Sequence, residues 1–139
     1  MTQITIAGFS SVGKKTLIMS LLAESKYRER FGVVGCPQAF GYAFQSLGKM
    51  LGSAADTVLF QWQYDVDDYT RKLQHIGNHK IYLLWRDYKQ HHADWCKIYG
   101  ATNPWVFETN VAYIKEKWHQ LVDYFEGRDF EVVNVTDWF

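Results

Sequence analysis

The segment Gly8-Phe9-Ser10-Ser11-Val12-Gly13-Lys14-Lys15-Thr16 constrains what this chain can fold into more than any other. Ahead of it, Ile4 and Ile6 flank Thr5 in the alternation of a short buried strand that runs through Ala7. After it, Leu17, Ile18, Leu21 and Leu22 recur on one face of a helix beginning near Lys14. A strand, a glycine-containing turn and a helix open an α/β domain. The turn itself carries chemistry. Successive backbone N–H groups that curl around one point, at the positive end of a helix, cradle a phosphate. Glycine permits the backbone angles and the close approach that such a curl needs. The expected cradle runs from Gly8 through Ser10, Ser11, Val12, Gly13, Lys14 and Lys15 to Thr16. Lys14 would reach the β- and γ-phosphates of a nucleotide, and the Thr16 hydroxyl would help to order magnesium.

Periodicity supplies the remaining elements. Lys26, Arg28 and Arg30 precede an apolar run, Phe31 to Cys36, that reads as a second strand. Pro37 is placed to open a helix carrying Ala39, Phe40, Ala43, Phe44, Leu47, Met50 and Leu51, with Gly52 ending it. Thr57 to Trp62 is a run of strand formers. Val66, Tyr69, Leu73 and Ile76 mark a further helix closed by Gly77-Asn78. Ile81 to Trp85 has the near-continuous apolar character of a strand covered on both faces. Asp87 to Tyr99 reads as a helix broken by Gly100. Asn103 as N-cap and Pro104 at the first helical position predict a long helix. Phe107, Val111, Ile114, Trp118, Leu121 and Phe125 line one face of it, and Gly127 stops it. Phe130 to Val135 is the last strand. This alternation predicts a single domain spanning residues 1–139, a three-layer α/β/α structure with a parallel sheet. Gln3 to Ala7 should lie at the centre of that sheet, flanked by Thr57 to Trp62 and Ile81 to Trp85.

Charge narrows the partners. Fifteen basic and fifteen acidic residues leave a formal net charge of zero, which disfavours nucleic acid as the main partner. Met1-Thr2-Gln3-Ile4 has no basic stretch leading into an apolar one, and no apolar run has the length of a membrane span. Cys36 and Cys96 form no CxxC pair. The expectation is a cytoplasmic protein with no membrane partner. Aromatic residues make up 17% of the chain, with six tryptophans, more than a small core readily hides. The surplus reads as a stacking surface for a base or sugar, as a homodimer contact, or as an aromatic-rich core. His91, His92, Asp94 and Cys96 cluster in sequence, and His75 and His79 are four apart. Adjacent histidines on a helix diverge, however, and Gly77-Asn78 interrupts the other pair. Solvent-facing histidines rather than a zinc site are expected.

The loop, with its glycine-lysine pair followed by a spacer and threonine, resembles that of the P-loop nucleotide and small-molecule kinases. The alternation of elements is similar over nearly the whole chain. That resemblance implies the P-loop nucleoside triphosphate hydrolase fold, with a five-stranded sheet ordered 2-3-1-4-5. It also implies ATP as phosphoryl donor, magnesium as cofactor, and a nucleotide or similar small molecule as acceptor. Lys15 stands where many members carry Ser or Thr, so that Thr16 matches the adenylate-kinase-like arrangement. Gln61-Trp62-Gln63 stands where related kinases place an aspartate. Asp65, Asp67 and Asp68 follow; Asp65 serves if the strand runs on to it, and otherwise belongs to a solvated helix N-terminus. Arg86 follows the fourth strand at the carboxyl edge of the sheet, where open α/β folds bind ligands. The resemblance gives it the transferring phosphoryl group, and any lid lies between Arg86 and Trp105; a surface ion pair with Asp87 is the alternative. The catalytic set is then Lys14, Asp65 and Arg86. Trp62, Tyr64 and Trp85, near strand ends, stack on the acceptor or pack in the core. A nucleotide-binding protein without turnover is a second reading, suggested by the missing strand-end aspartate. A third is a sulfotransferase-like enzyme, which Tyr82-Leu83-Leu84-Trp85-Arg86-Asp87 and Val133-Asn134-Val135 resemble. Ser11 at that family's basic loop position, and Asp94 rather than serine eight residues after Arg86, speak against it. A GTPase lacks its Asn-Lys-x-Asp and Asp-x-x-Gly motifs here.

Overall fold

Residues 2–40, 54–62 and 78–138 are described by a computed structural model of the chain. The chain divides into two compact units, Met1–Ala7 with Lys14–Tyr82, and Gly8–Gly13 with Leu83–Phe139.

In the first unit, β1 (Thr2–Ala7) pairs in parallel with β3 (Thr57–Gln61), Ile4 opposite Leu59 and Thr5 opposite Phe60. On the other side of β3 lies β2 (Pro37–Phe40), also parallel, with Ala39 opposite Leu59. The spacing of Leu17, Ile18 and Leu21 buries one face of α1 (Lys14–Leu22). Together with Ile4, Ile6, Phe31, Leu59 and Phe60 these side chains form the core. The helix ends where Arg28 donates from Nε and Nη2 to the carbonyls of Leu21 and Leu22, both at 2.9 Å.

The expected strand from Phe31 to Cys36 does not form. Tyr27–Phe31 is instead a short helix, α2, and Gly32 terminates it with φ of 71°. That left-handed residue turns the chain out of both helix and strand. Phe31 still lies in the core, edge-on to Tyr82 at 4.7 Å, and its carbonyl accepts the Tyr82 hydroxyl. Pro37 opens β2 rather than a helix, which suits an edge strand, whose first residue need not donate to the ladder. Ala39 and Phe40 therefore belong to a strand, and the rest of the expected helix lies outside the described residues. So does the expected helix from Val66 to Ile76. Asn78, read as part of a helix stop, instead begins β4 (Asn78–Trp85), three residues before the strand start expected at Ile81. A polar contact ties this end of β4 to β1: His79 Nε2 lies 2.8 Å from the buried Thr5 hydroxyl.

In the second unit, the Asp87 carboxylate accepts the Gln90 N–H and caps α3 (Tyr88–Tyr99). The single long helix expected from Asn103 is two elements, a 3-10 turn at Pro104–Glu108 and α4 at Val111–Phe125. Two side chains divide them. The Thr109 hydroxyl donates to the Val106 carbonyl at 2.6 Å, and Asn110 Oδ1 accepts the Ala112 N–H at 2.9 Å. Local side-chain bonds of this kind compete with helix continuation and start a new helix instead. Ile114, Leu121 and Phe125 form the buried stripe of α4, and β5 (Phe130–Asn134) follows it.

The strands are ordered β2-β3-β1-β4-β5 and all run parallel. The α/β class, the central place of β1 and the order 2-3-1-4-5 are thus as expected, with β2 built from different residues. No helix among the described residues is long and apolar enough to cross a membrane.

Candidate functional site

The loop leaves β1 at Ala7 and delivers the chain to Lys14, the first residue of α1. Its backbone takes positive φ at Gly8 (157°), Ser11 (68°) and Gly13 (117°). A Cβ on Gly8 would stand 2.6 Å from the Val12 Cγ1 and 3.4 Å from the Leu84 carbonyl oxygen, so the backbone passes where no side chain fits. Val12 is buried, and its N–H closes a turn on the Phe9 carbonyl at 3.2 Å. Ser11 is the one non-glycine residue with positive φ among the described residues, a conformation that costs roughly 1–3 kcal/mol. Its hydroxyl oxygen is buried and has no hydrogen-bond partner among the described residues.

Helix α3 holds this arch within the second unit. His91 is 4% exposed, and its Nε2 lies 2.7 Å from the Ser10 carbonyl oxygen. A carbonyl only accepts, so Nε2 carries the proton and donates it. The Phe9 ring packs beside His91 and Trp95, each with centroids 5.9 Å away, and edge-on to Tyr113 at 6.3 Å.

Lys14 belongs to the first unit and is half-buried. Burial lowers its pKa from the ordinary 10.5 to about 8. Its Nζ stands 6.0 Å from the centroid of the Trp62 ring. Trp62 follows β3 directly and extends the ladder, its N–H donating to the Ile6 carbonyl at 2.9 Å. At 2% exposure this ring is not displayed for stacking. Lys15 and Thr16, in the first turn of α1, are exposed.

No protein-family model matches the chain, and no curated protein matches it.

Arg86, just past β4, forms an ion pair with Asp94 of α3 rather than with the adjacent Asp87, whose side chain caps that helix. Phe9, Trp85, Arg86, Tyr88, His91 and Trp118 line a shallow cleft in the second unit. Trp85 is half-buried there and packs edge-on against Tyr88 at 5.5 Å. Asp65, Tyr64 and His75 lie outside the described residues.

The clustered histidines are not the solvent-facing groups expected. His91 is committed to the loop, and His92 donates to the Thr109 hydroxyl at 2.9 Å with the Cys96 sulfur 3.5 Å away. Asp94 is paired with Arg86. Among the described residues no group of three or more His, Cys, Asp or Glu could hold a metal ion. The tie between His91 and the loop went unread in the sequence. The signal for it is the i, i+4 spacing of His91 and Trp95, which puts the imidazole on the buried stripe of α3.

The first N–H groups of a helix lack intrahelical acceptors and carry its positive end. Lys14 adds a charge whose pKa of about 8 keeps it mostly protonated at neutral pH. Were magnesium bound beside the loop, Thr16 would offer it a hydroxyl, while β3 itself ends at Gln61 and Trp62 without a carboxylate. That fits an ion held mainly by ligand phosphates and water, which magnesium accepts readily.

Proposed function

We propose that the chain is a small ATP-dependent phosphotransferase with the P-loop nucleoside triphosphate hydrolase fold, working in the cytoplasm on a nucleotide or other small-molecule acceptor. One observation carries the proposal: a lysine of lowered pKa opens α1 directly after an arch with positive φ at residues 8, 11 and 13. Gly8, Ser10, Ser11, Val12 and Gly13 wrap the phosphates, Lys14 bears on the β- and γ-phosphates, and Lys15 lies at their edge. Magnesium, when bound, neutralises phosphate charge, and Thr16 supplies it with a hydroxyl. Phosphoryl transfer rests on such positioning and charge compensation more than on covalent chemistry. Asp65 is the candidate to receive the acceptor's proton. Arg86 reaches the transferring group only by exchanging its Asp94 partner for it. Two free cysteines, Cys36 exposed and Cys96 buried, suit a reducing compartment.

A second reading, nucleotide binding without turnover, is favoured by one feature. At the end of β3 an indole rather than a carboxylate approaches Lys14.

Titration calorimetry with ATP and magnesium tests the common part. Lys14→Ala should weaken binding by roughly 2–4 kcal/mol, the scale of one lost charge-assisted contact in a partly buried site. Unchanged affinity in a folded variant refutes the loop assignment. Nucleoside monophosphates and small alcohols, offered with ATP, then separate the readings. Transfer to one of them supports the phosphotransferase, and clear ATP binding with transfer to none supports the binding protein.

A further inference from the structure

A peptide unit is planar and, throughout the described residues, trans. Its carbonyl and its N–H therefore point in opposite directions. Fixing one fixes the other. In the peptide joining Ser10 to Ser11, the carbonyl oxygen is held at 2.7 Å by the Nε2–H of His91. The Ser11 N–H must then point away from α3. Rotation of that peptide is further opposed by Phe9, one residue earlier, which is packed among His91, Trp95 and Tyr113. On the far side of the same peptide, Ser11 adopts φ of 68°, a left-handed state that serine does not favour unaided. Its buried hydroxyl has no hydrogen-bond partner among the described residues. A strained residue with an unsatisfied polar atom persists where its surroundings over-determine it and where a ligand can complete it.

We propose that His91 is a positioning residue for the phosphate-binding loop: by anchoring the Ser10 carbonyl it turns the Ser11 N–H toward the bound phosphate. The inference rests on the nucleotide-binding reading above and adds to it a residue from a different helix, far along the chain. It also gives the imidazole a defined tautomer, Nε2-protonated, in the ligand-free protein. His91 does not touch the phosphate. It acts through one peptide plane.

Two side-chain amides separate this role from mere filling of space. Glutamine presents its N–H where Nε2 stands, whereas asparagine presents one nearer the position of Nδ1. With ATP and magnesium in a calorimeter, His91→Asn and His91→Leu should each weaken binding by roughly tenfold, the scale of one lost orienting hydrogen bond. His91→Gln should stay within about threefold of the parent, even where its melting temperature falls as far as that of His91→Asn. A packing role alone would make affinity follow melting temperature across the series, and that pattern overturns the inference. So does parental affinity in His91→Asn. Nitrogen NMR of the imidazole in the ligand-free protein gives an answer that needs neither variant nor nucleotide. An Nε2–H tautomer with a slowly exchanging proton is expected, and an Nδ1–H tautomer overturns the anchor itself. Parent protein that shows the Nε2–H signal but binds no ATP overturns the nucleotide-binding reading, and with it the purpose given to His91. That outcome is distinct from one in which the parent binds and the variants bind equally well.

Discussion

At the scale of single residues, Lys14 makes a prediction about pH whose sign follows from its environment. Burial brings its pKa down from 10.5 to about 8, so between those values the folded chain has shed a proton that the unfolded chain retains. The unfolded state then binds more protons, and this group's contribution to stability rises with pH across that window. Ligand binding runs the other way. A phosphate beside the ammonium favours the protonated form and raises its pKa, so above pH 8 binding must draw a proton from solvent. Affinity for ATP should be full below about pH 8 and should fall as pH rises through that value, by at most about tenfold per unit. Calorimetry from pH 7 to 9.5 would show it, and Lys14→Arg, which stays charged, should flatten the profile. A flat profile in the parent protein would take Lys14 out of the phosphate contacts. The place of Lys14 at the start of α1 was legible because the loop's glycines stand between an apolar strand and a helix-spaced apolar stripe. Its neighbour Trp62 was not, because nothing in Gln61-Trp62-Gln63 says which way the ring turns once the strand ends. His91 was hidden for another reason. A histidine on an apolar stripe gives no hint of which backbone carbonyl it meets, and Ser10 is 81 residues away.

The elements divide into those whose periodicity alone decided them and those settled by local chemistry. β1, β3 and the stripes of α1 and α3 carry continuous or strictly spaced apolar residues, and burial leaves such sequences one choice of face. Misread elements lie where short polar side chains or glycines compete with the backbone. Gly32 closes a helix where an apolar run suggested a strand, and Pro37 starts an edge strand where its fixed φ suggested a helix. At Asn103 and Asn110 two good capping residues stand seven apart, and only the structure tells them apart. Asn110 accepts the Ala112 N–H, whereas the Asn103 side chain makes no capping bond. Asn110→Ala should therefore cost about 1 kcal/mol, and Asn103→Ala a few tenths at most. Urea unfolding monitored by circular dichroism measures both. Equal losses, or a larger one at Asn103, would mean that the long helix begins at Pro104 after all.

For the whole molecule the parallel α/β layering was legible in the alternation of elements, while the order of strands, which the structure has as expected, came from the resemblance alone. The activity was not legible, since one architecture serves binders and catalysts alike and their difference lies in a few side chains. Global stability offers a way to separate the two. Any ligand that binds only the folded chain stabilises it by an amount set by its concentration relative to Kd, about 2.7 kcal/mol at a hundredfold excess. ATP with magnesium should accordingly raise the melting temperature of the parent by several degrees, whether or not turnover occurs. Lys14→Ala should lose most of that shift, because the loop contacts it removes act in the ground state. Asp65→Asn should keep it, since a group that accepts a proton during transfer adds little to the affinity of the bound nucleotide. The phosphotransferase reading then requires that Asp65→Asn abolish magnesium-dependent transfer to the acceptor found in the screen. Transfer that survives this change would keep the enzyme and remove Asp65 from it. A parent protein whose melting temperature does not respond to ATP at any concentration would remove the nucleotide itself.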